Sequence, residues 1–225
     1  MTVLVRALLL VALAASATRA QQPMPGAPPA PRDSLTSGPR TPPFEAVNGT
    51  LLRTDARRYT LSLVRAAGAV SLGVRTVTVV EGNAGGRPVW TLMEAREGTV
   101  VATYDTLQLA RADLSPVRWS AVNGRALLGV SFSRDSMYGA TLSYQGRSSF
   151  TAAVPPGVLV TPAMLERVVE LLPLRDGYRT GATLLLVETG TMVPLAADIV
   201  VDGRDEIERD GGRDACWRVA IRSGA

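Results

Sequence analysis

Apolar and polar residues alternate one by one in run after run of this chain. That period of two restricts it to a fold built from half-buried β-strands. Tyr59, Leu61 and Leu63 alternate with Thr60 and Ser62, and Val70, Leu72 and Val74 alternate with Ser71, Gly73 and Arg75. Runs follow over Val89–Ala95 and Thr99–Leu109, then through Leu128, Val130 and Phe132, and through Tyr138, Ala140, Leu142 and Tyr144. Near the C-terminus Val193, Leu195, Ala197, Ile199 and Val201 share one face, as do Trp217, Val219 and Ile221. Gly82-Asn83-Ala84-Gly85-Gly86, Asn123-Gly124, Gln145-Gly146 and Gly211-Gly212 supply the turns between runs. The expected fold is mainly β. About ten closely spaced strands form an antiparallel sheet that curls into a half-barrel, with one amphipathic helix packed on it.

That helix is the one break in the pattern. Thr161 is an N-cap residue and Pro162 suits the first helical position. Met164, Leu165, Val168, Val169 and Leu172 then recur at helical spacing, and Pro173 stops the run. Glu166, Arg167 and Glu170 fall on the opposite face. The apolar face packs on the sheet, either as ordinary cover or as a lid over an apolar cavity.

Three segments divide the chain. Residues 1–20 read as a cleavable signal peptide: Arg6 in the n-region, the apolar run Ala7–Ala15, and small residues Thr18 and Ala20 before cleavage. The apolar run is about half of the roughly 20 residues needed to cross a bilayer, and no later stretch is long enough to span one. No Cys follows the small residues to take a lipid, and no twin-Arg precedes the run. The product is expected in a periplasm or secreted. Residues 21–43 are Pro-rich and read as a mobile linker, which leaves residues 44–225 as a single β-rich domain.

Composition narrows the chemistry. All 24 basic residues are Arg, with no Lys and no His. Loss of Arg6 and Arg19 with the signal leaves 22 Arg against 20 acids, so the formal charge falls from +4 to +2. The Arg residues are scattered among acids, which argues against nucleic-acid binding. Without His, the usual general base of hydrolases is missing. Without Lys, Schiff-base, Ser–Lys and P-loop chemistry are missing as well. No zinc ligand cluster can be assembled, and no cofactor is implied. Asp105-Thr106-Leu107 starts like an aspartic-protease Asp-Thr-Gly but lacks the Gly, so Asp105 reads as a turn or strand-edge acid. Glu206-Ile207-Glu208-Arg209-Asp210-Gly211 outlines half a calcium loop but has Trp217 where the bidentate Glu belongs. Asn48-Gly49-Thr50 fits a glycosylation sequon, and the lone Cys216 reads as a buried small residue of a strand. No catalytic residue is assigned, although two distant carboxylates could still meet in space.

Several phrases recur in an order that resembles a known layout. Tyr104 to Arg118 combines a strand with a Leu-x-Pro lead into the next one. The helix runs into Leu171-Leu172-Pro173-Leu174-Arg175-Asp176-Gly177, and Val200-Val201-Asp202-Gly203 and Asp214-Ala215-Cys216-Trp217 close the order. Over residues 59–222 this resembles a bacterial exported domain-of-unknown-function family whose layout is similar to the LolA/LolB-type lipoprotein carriers. The resemblance implies a half-barrel with helix cover over an apolar face, where the carriers hold lipoprotein acyl chains. The chain departs from the carriers in having one clear helix and no LolB-type lipid anchor.

The resulting expectation is a non-catalytic binding module for a lipid, a lipoprotein acyl chain or a lipidated partner. The candidate ligand-binding side chains are Trp90, Leu92, Trp119, Phe132, Tyr138, Leu142, Met164, Val168 and Trp217. Two other classes stay open: an envelope-assembly protein acting through contacts with another envelope protein, and a hydrolase using paired carboxylates.

Overall fold

Turn chemistry sets the topology. In the turn at Asn83-Ala84-Gly85-Gly86, Asn83 Oδ1 accepts the Gly86 N–H at 2.7 Å, and Gly85 and Gly86 take φ of 60° and 85°, which favours glycine. The computed structural model describes residues 41–44, 47–65, 68–98, 102–124, 126–188, 191–209 and 211–223. The signal peptide and the linker up to residue 40 lie outside them.

The strands are β1 (Asp55–Arg65), β2 (Gly68–Ala84), β3 (Arg87–Gly98), β4 (Thr103–Ala110), β5 (Pro116–Asn123), β6 (Ala126–Phe132), β7 (Ser136–Ser143) and β8 (Gly146–Ala153). They form one sheet in chain order, each antiparallel to the next. After β9 (Val158–Leu159) comes α1 (Pro162–Leu171), then β10 (Arg179–Glu188), β11 (Thr191–Arg209) and β12 (Gly212–Ser223). These last strands make a second sheet in the order β12-β11-β10-β9, with β9 parallel to β10.

The mainly-β class, the large antiparallel sheet and the helix are as expected, but the single curled sheet is not. Twelve described strands are divided between two sheets, and the larger sheet is open at β1 and β8. The division follows from Val154-Pro155-Pro156-Gly157. Two prolines remove ladder donors just after β8, and the chain then turns into β9 and α1.

The second sheet also holds the start of the domain. Phe44 N donates to Gly181 O at 3.0 Å, and Gly181 N donates to Pro42 O at 2.7 Å. A side chain at 181 would meet Thr41 O at 2.3 Å, so the close approach needs glycine. Thr41–Pro43, assigned above to the linker, are thus bridged to β10.

One core joins both sheets and the helix, with Val77, Trp90 and Leu107 from the large sheet, Met164 and Val168 from α1, and Leu185 and Ile199 from the small one. On the inner face of the large sheet a register row runs Val79–Leu92–Leu107–Trp119–Val130–Gly139. At its end Gly139 faces Phe150, whose ring lies 2.5 Å from where a Cβ would sit. The adjacent row begins Arg57–Val77–Glu94–Asp105–Ala121–Leu128. Charge therefore enters the inner face one row from the apolar core.

Candidate functional site

The helix forms as its sequence predicts. Thr161 Oγ1 accepts the Met164 N–H at 3.2 Å, and Pro162 occupies the first turn. Its apolar residues Met164, Leu165, Val168 and Val169 are buried. The opposite, charged face of the helix is not turned to solvent either. Glu166, Arg167 and Glu170 point into the protein, and Arg167 is only 1% exposed.

Their charges are met by the large sheet. Arg167 donates to both oxygens of Asp55 on β1, at 3.0 and 2.9 Å, and to Glu170 at 3.1 Å. Arg57 on the same strand reaches Asp55 at 2.8 Å and also pairs with Glu170. Arg75 on β2 bridges Glu166 at 2.5 Å and Glu94 on β3 at 2.8 Å, and Arg96 adds a bond to Glu94 at 2.7 Å. Four guanidinium groups thus meet four carboxylates, as a buried ionic group requires. The network is not fully satisfied: Arg75 Nη2, Glu94 Oε2, Glu166 Oε2 and Arg167 Nε have no described hydrogen-bond partner.

Burial works against charge on Arg75, but its hydrogen bonds to Glu94 and Glu166 outweigh this and raise its pKa. Burial likewise opposes ionisation of Glu94, and the bond from Arg75 outweighs it, holding the carboxyl below its ordinary range. Asp105, the cross-strand neighbour of Glu94, goes the other way. Burial pushes its pKa up and the Glu94 charge adds to that, against a 3.0 Å hydrogen bond from Trp119 Nε1. Asp105 is thus mid-strand, not a turn or edge acid. Two neighbouring carboxylates whose affinities for a proton are pushed apart form an acid–base pattern. However, Glu94 is only 3% exposed, and neither acid lines the cavity of this molecule described next.

That cavity, of about 510 Å³, lies at the other end of the inner face, where β2–β3, β4–β5 and β6–β7 turn. Its apolar wall includes Leu114, Val117, Phe132, Val158, Met164 and Val168, and Arg87, Asp113 and Arg134 stand among its lining. These three charged residues are exposed, so they form its rim. Leu114 is fixed in the wall by local chemistry. Asp113 Oδ1 accepts from Ser115 N at 3.0 Å and from Ser115 Oγ at 2.8 Å, and Leu114 is held at φ 56°. A left-handed leucine is strained, and burial of its side chain to 1% exposure offsets the cost.

Of the nine expected ligand-binding side chains, Phe132, Met164 and Val168 meet in this cavity. The other six do not line it, which corrects their grouping as one site. Trp90 is a core residue whose Nε1 donates to Gly49 O at 2.9 Å, Leu92 is fully buried, and Trp119 is buried on Asp105. Tyr138 and Leu142 are exposed, because β7 turns Met137, Gly139 and Thr141 inward. Trp217 lies in the small sheet, with the Arg204 guanidinium 4.4 Å from its ring centre. Sequence reasoning missed Leu114 and Val117 as wall residues, although the Leu-x-Pro phrase at Leu114-Ser115-Pro116 marks the turn that places them.

Among the described residues no group of three or more acids or Cys is placed to hold a metal, and no helix is long and apolar enough to cross a membrane. Cys216 is half-buried, with its thiol donating to Asp205 O at 3.4 Å. No protein-family model, curated protein or solved structure matches the chain. The likeness to the LolA/LolB-type carriers therefore rests on the sequence phrases alone.

Proposed function

We propose that this is an exported, non-catalytic binding module that takes an apolar chain bearing an anionic head into the cavity beside α1. The cavity carries this reading. Its volume of about 510 Å³ lies within the roughly 300–1,000 Å³ of small-molecule pockets, which are mostly apolar with a few polar groups that fix orientation. Arg87 and Arg134 at the rim suit a carboxylate or phosphate. In a half-barrel carrier the ligand would fill the inner face of the sheet. Here α1 and Trp90, Leu92 and Trp119 occupy that face, and the end cavity offers space beside them. The ligand class is therefore a single acyl-type chain, either free or on a lipidated partner, met in the periplasm.

The test is displacement of a fluorescent fatty-acid probe, with native mass spectrometry of protein purified from a periplasm. The wild type binds the probe, and Met164→Trp, which fills the cavity from α1, abolishes binding while leaving the circular dichroism unchanged. If the wild type binds no probe and carries no co-purified lipid, or if Met164→Trp binds as well as the wild type, the reading fails.

The envelope-assembly reading has one observation in its favour: β8 is an edge strand with most of its residues exposed, open to strand addition. Crosslinking of the purified protein to envelope extracts, lost on Ser149→Pro, would support it.

A further inference from the structure

Each sheet ends in two strands, β1 and β8 in the large one and β12 and β9 in the small one. An exposed strand edge invites pairing with another chain unless something blunts it. β1 carries a bulge between Leu61 and Ser62 and turns the charged side chains of Asp55 and Arg57 toward α1. β9 is only two residues long. β12 presents exposed Arg213, Asp214, Arg218 and Arg222, and its pairing with β11 shifts register at Val201/Gly203. β8 has none of these devices. It pairs with β7 without a shift from Ser143–Gly146 to Ser136–Ala153, contains no proline, and turns the uncharged Ser148, Phe150 and Ala152 to the inner face. Arg147 is its only charged residue.

The register decides which backbone groups of β8 are free. Val154 N donates to Asp135 O at 3.1 Å, one step beyond the Ser136–Ala153 pair. In an antiparallel ladder alternate residues bond to the same neighbour. Gly146, Ser148, Phe150 and Ala152 therefore bond to β7, and Arg147, Ser149, Thr151 and Ala153 turn their N–H and C=O groups away from it. Among the described residues no hydrogen bond from outside the ladder reaches these last groups, and all four residues are exposed.

The strand is complementary to itself about Phe150. In an antiparallel pair with a second copy centred there, Ser149 faces Thr151, Ser148 faces Ala152 and Arg147 faces Ala153 of the other copy. Every outward group then meets a partner, which makes about eight hydrogen bonds. The hydroxyls of Ser149 and Thr151 lie opposite each other on the outer face, a favourable cross-strand pair. On the inner face the two half-buried Phe150 side chains meet as a non-hydrogen-bonded pair, the kind in which side chains come closest. The two Arg147 residues stand at opposite ends, so no like charges face each other. A centre at Ser149 would set Ala153 against the turn residue Gln145, and a centre at Thr151 would set Arg147 against Pro155, which has no N–H.

We propose that the protein dimerises through β8, antiparallel about a twofold axis at Phe150, so that the large sheets of two copies continue into one. A twofold interface needs a surface that complements itself, and β8 does so in backbone, side-chain size and charge. The occupant of the edge is thus a second copy and not a foreign envelope protein, and the inference does not depend on the cavity ligand. The contact is mainly backbone with small side chains, which places it at the low end of interface sizes and makes it concentration-dependent.

The experiment is sedimentation velocity of the purified protein with a reducing agent, from about 1 to 100 μM. The wild type is expected to move from monomer toward dimer over that range. Thr151→Pro removes an outward N–H and leaves the β7–β8 ladder intact. It should keep the wild-type circular dichroism and stay monomeric throughout. A second measurement reads the register. In a Cys216→Ser background, Ser149→Cys and Thr151→Cys chains are mixed and oxidised. The mixture should form several-fold more disulfide-linked dimer than either variant alone, because only the unlike positions face each other within disulfide reach. If Thr151→Pro fails to fold, the cysteine mixture decides alone. The proposal is overturned if the wild type stays monomeric at the highest concentration, even if it captures a strand of another envelope protein. It is also overturned if a folded Thr151→Pro dimerises as the wild type does, or if either cysteine variant alone crosslinks as well as the mixture.

Discussion

Replacing Arg167 by Met removes the cation that α1 buries most deeply while keeping a side chain of comparable length. Arg167 is 1% exposed and holds Asp55 through two hydrogen bonds and Glu170 through one. Breaking a buried ion pair from one side costs about 3–5 kcal/mol, because the remaining charge is left without its partner. Two features reduce that here. The Asp55 side chain keeps 28% exposure and can rehydrate in part. Both acids also retain Arg57, on Asp55 at 2.8 Å and on Glu170. The expected loss is therefore about 2–3 kcal/mol, at or below the lower end of that range.

Arg57→Met is the matched control. It touches the same two acids, but its side chain is 34% exposed and Arg167 stays in place. Solvent screening limits its loss to about 1 kcal/mol or less. With a urea m-value of about 2 kcal/mol per molar, the unfolding midpoint falls by about 1–1.5 M for Arg167→Met and by under about 0.5 M for Arg57→Met. Equilibrium urea unfolding followed by circular dichroism measures both, with an unchanged m-value as the condition for reading them as stabilities. Equal midpoints for the two variants, or a raised midpoint for Arg167→Met, would refute the claim that burial makes Arg167 the costlier loss.

The Glu94–Asp105 pair gives a pH prediction. The depressed Glu94 contributes stability that is complete above the ordinary carboxylate range and is lost as pH falls through its folded-state value. The raised Asp105 acts in reverse: its contribution is complete at low pH and is lost as pH rises through its raised value. Asp105→Asn keeps an acceptor for Trp119 and removes the charge facing Glu94. Thermal unfolding should therefore show the variant at least as stable as the wild type at pH 7, with that advantage gone near pH 4; a clear loss at pH 7 would count against it. Gly139→Ala places a Cβ 2.5 Å from the Phe150 ring and 2.8 Å from Gly129 O. It should destabilise by about 1–3 kcal/mol, and Phe150→Leu in the same chain should recover only the part due to the ring.

Alternation in the sequence identifies strands well and their buried face less well. Leu128 and Val130 do face inward, and Ala197, Ile199 and Val201 are buried together as their spacing implies. Val70, Leu72 and Val74 also alternate, yet the buried set on β2 is Arg75, Val77 and Val79. A period of two marks two faces without saying which one is covered. On β2 the inward choice is made by Glu166 and Glu94, which meet Arg75 from α1 and β3. On β7 the larger side chains, Tyr138 and Leu142, suggest the wrong face, because the core takes Gly139 and lets Phe150 of the next strand cover it. The helix was legible from its cap to its stop. What its spacing does not reveal is the partner of its charged face, because the counter-charges come from strands distant in sequence on the large sheet.

That charged face bears directly on the cavity. On α1, Met164 and Val168 form one stripe, and Glu166 and Glu170, each two residues further on, form another rotated by about half a turn. The first stripe lines the cavity, and the second is fixed to Arg75 and Arg57 on the large sheet. A rotation of the helix by one residue, about 100°, would strip the carboxylates of their guanidinium partners and carry Met164 and Val168 out of the cavity wall. Apolar contacts alone are tolerant of such a rotation, because Leu165 and Val169 lie beside Met164 and Val168 and are similar in character. The ion network is not tolerant of it, since each misplaced charge would be buried without a partner. The network therefore fixes the rotation of α1 more than it adds to stability, and the cavity owes its Met164–Val168 wall to charges that do not touch it.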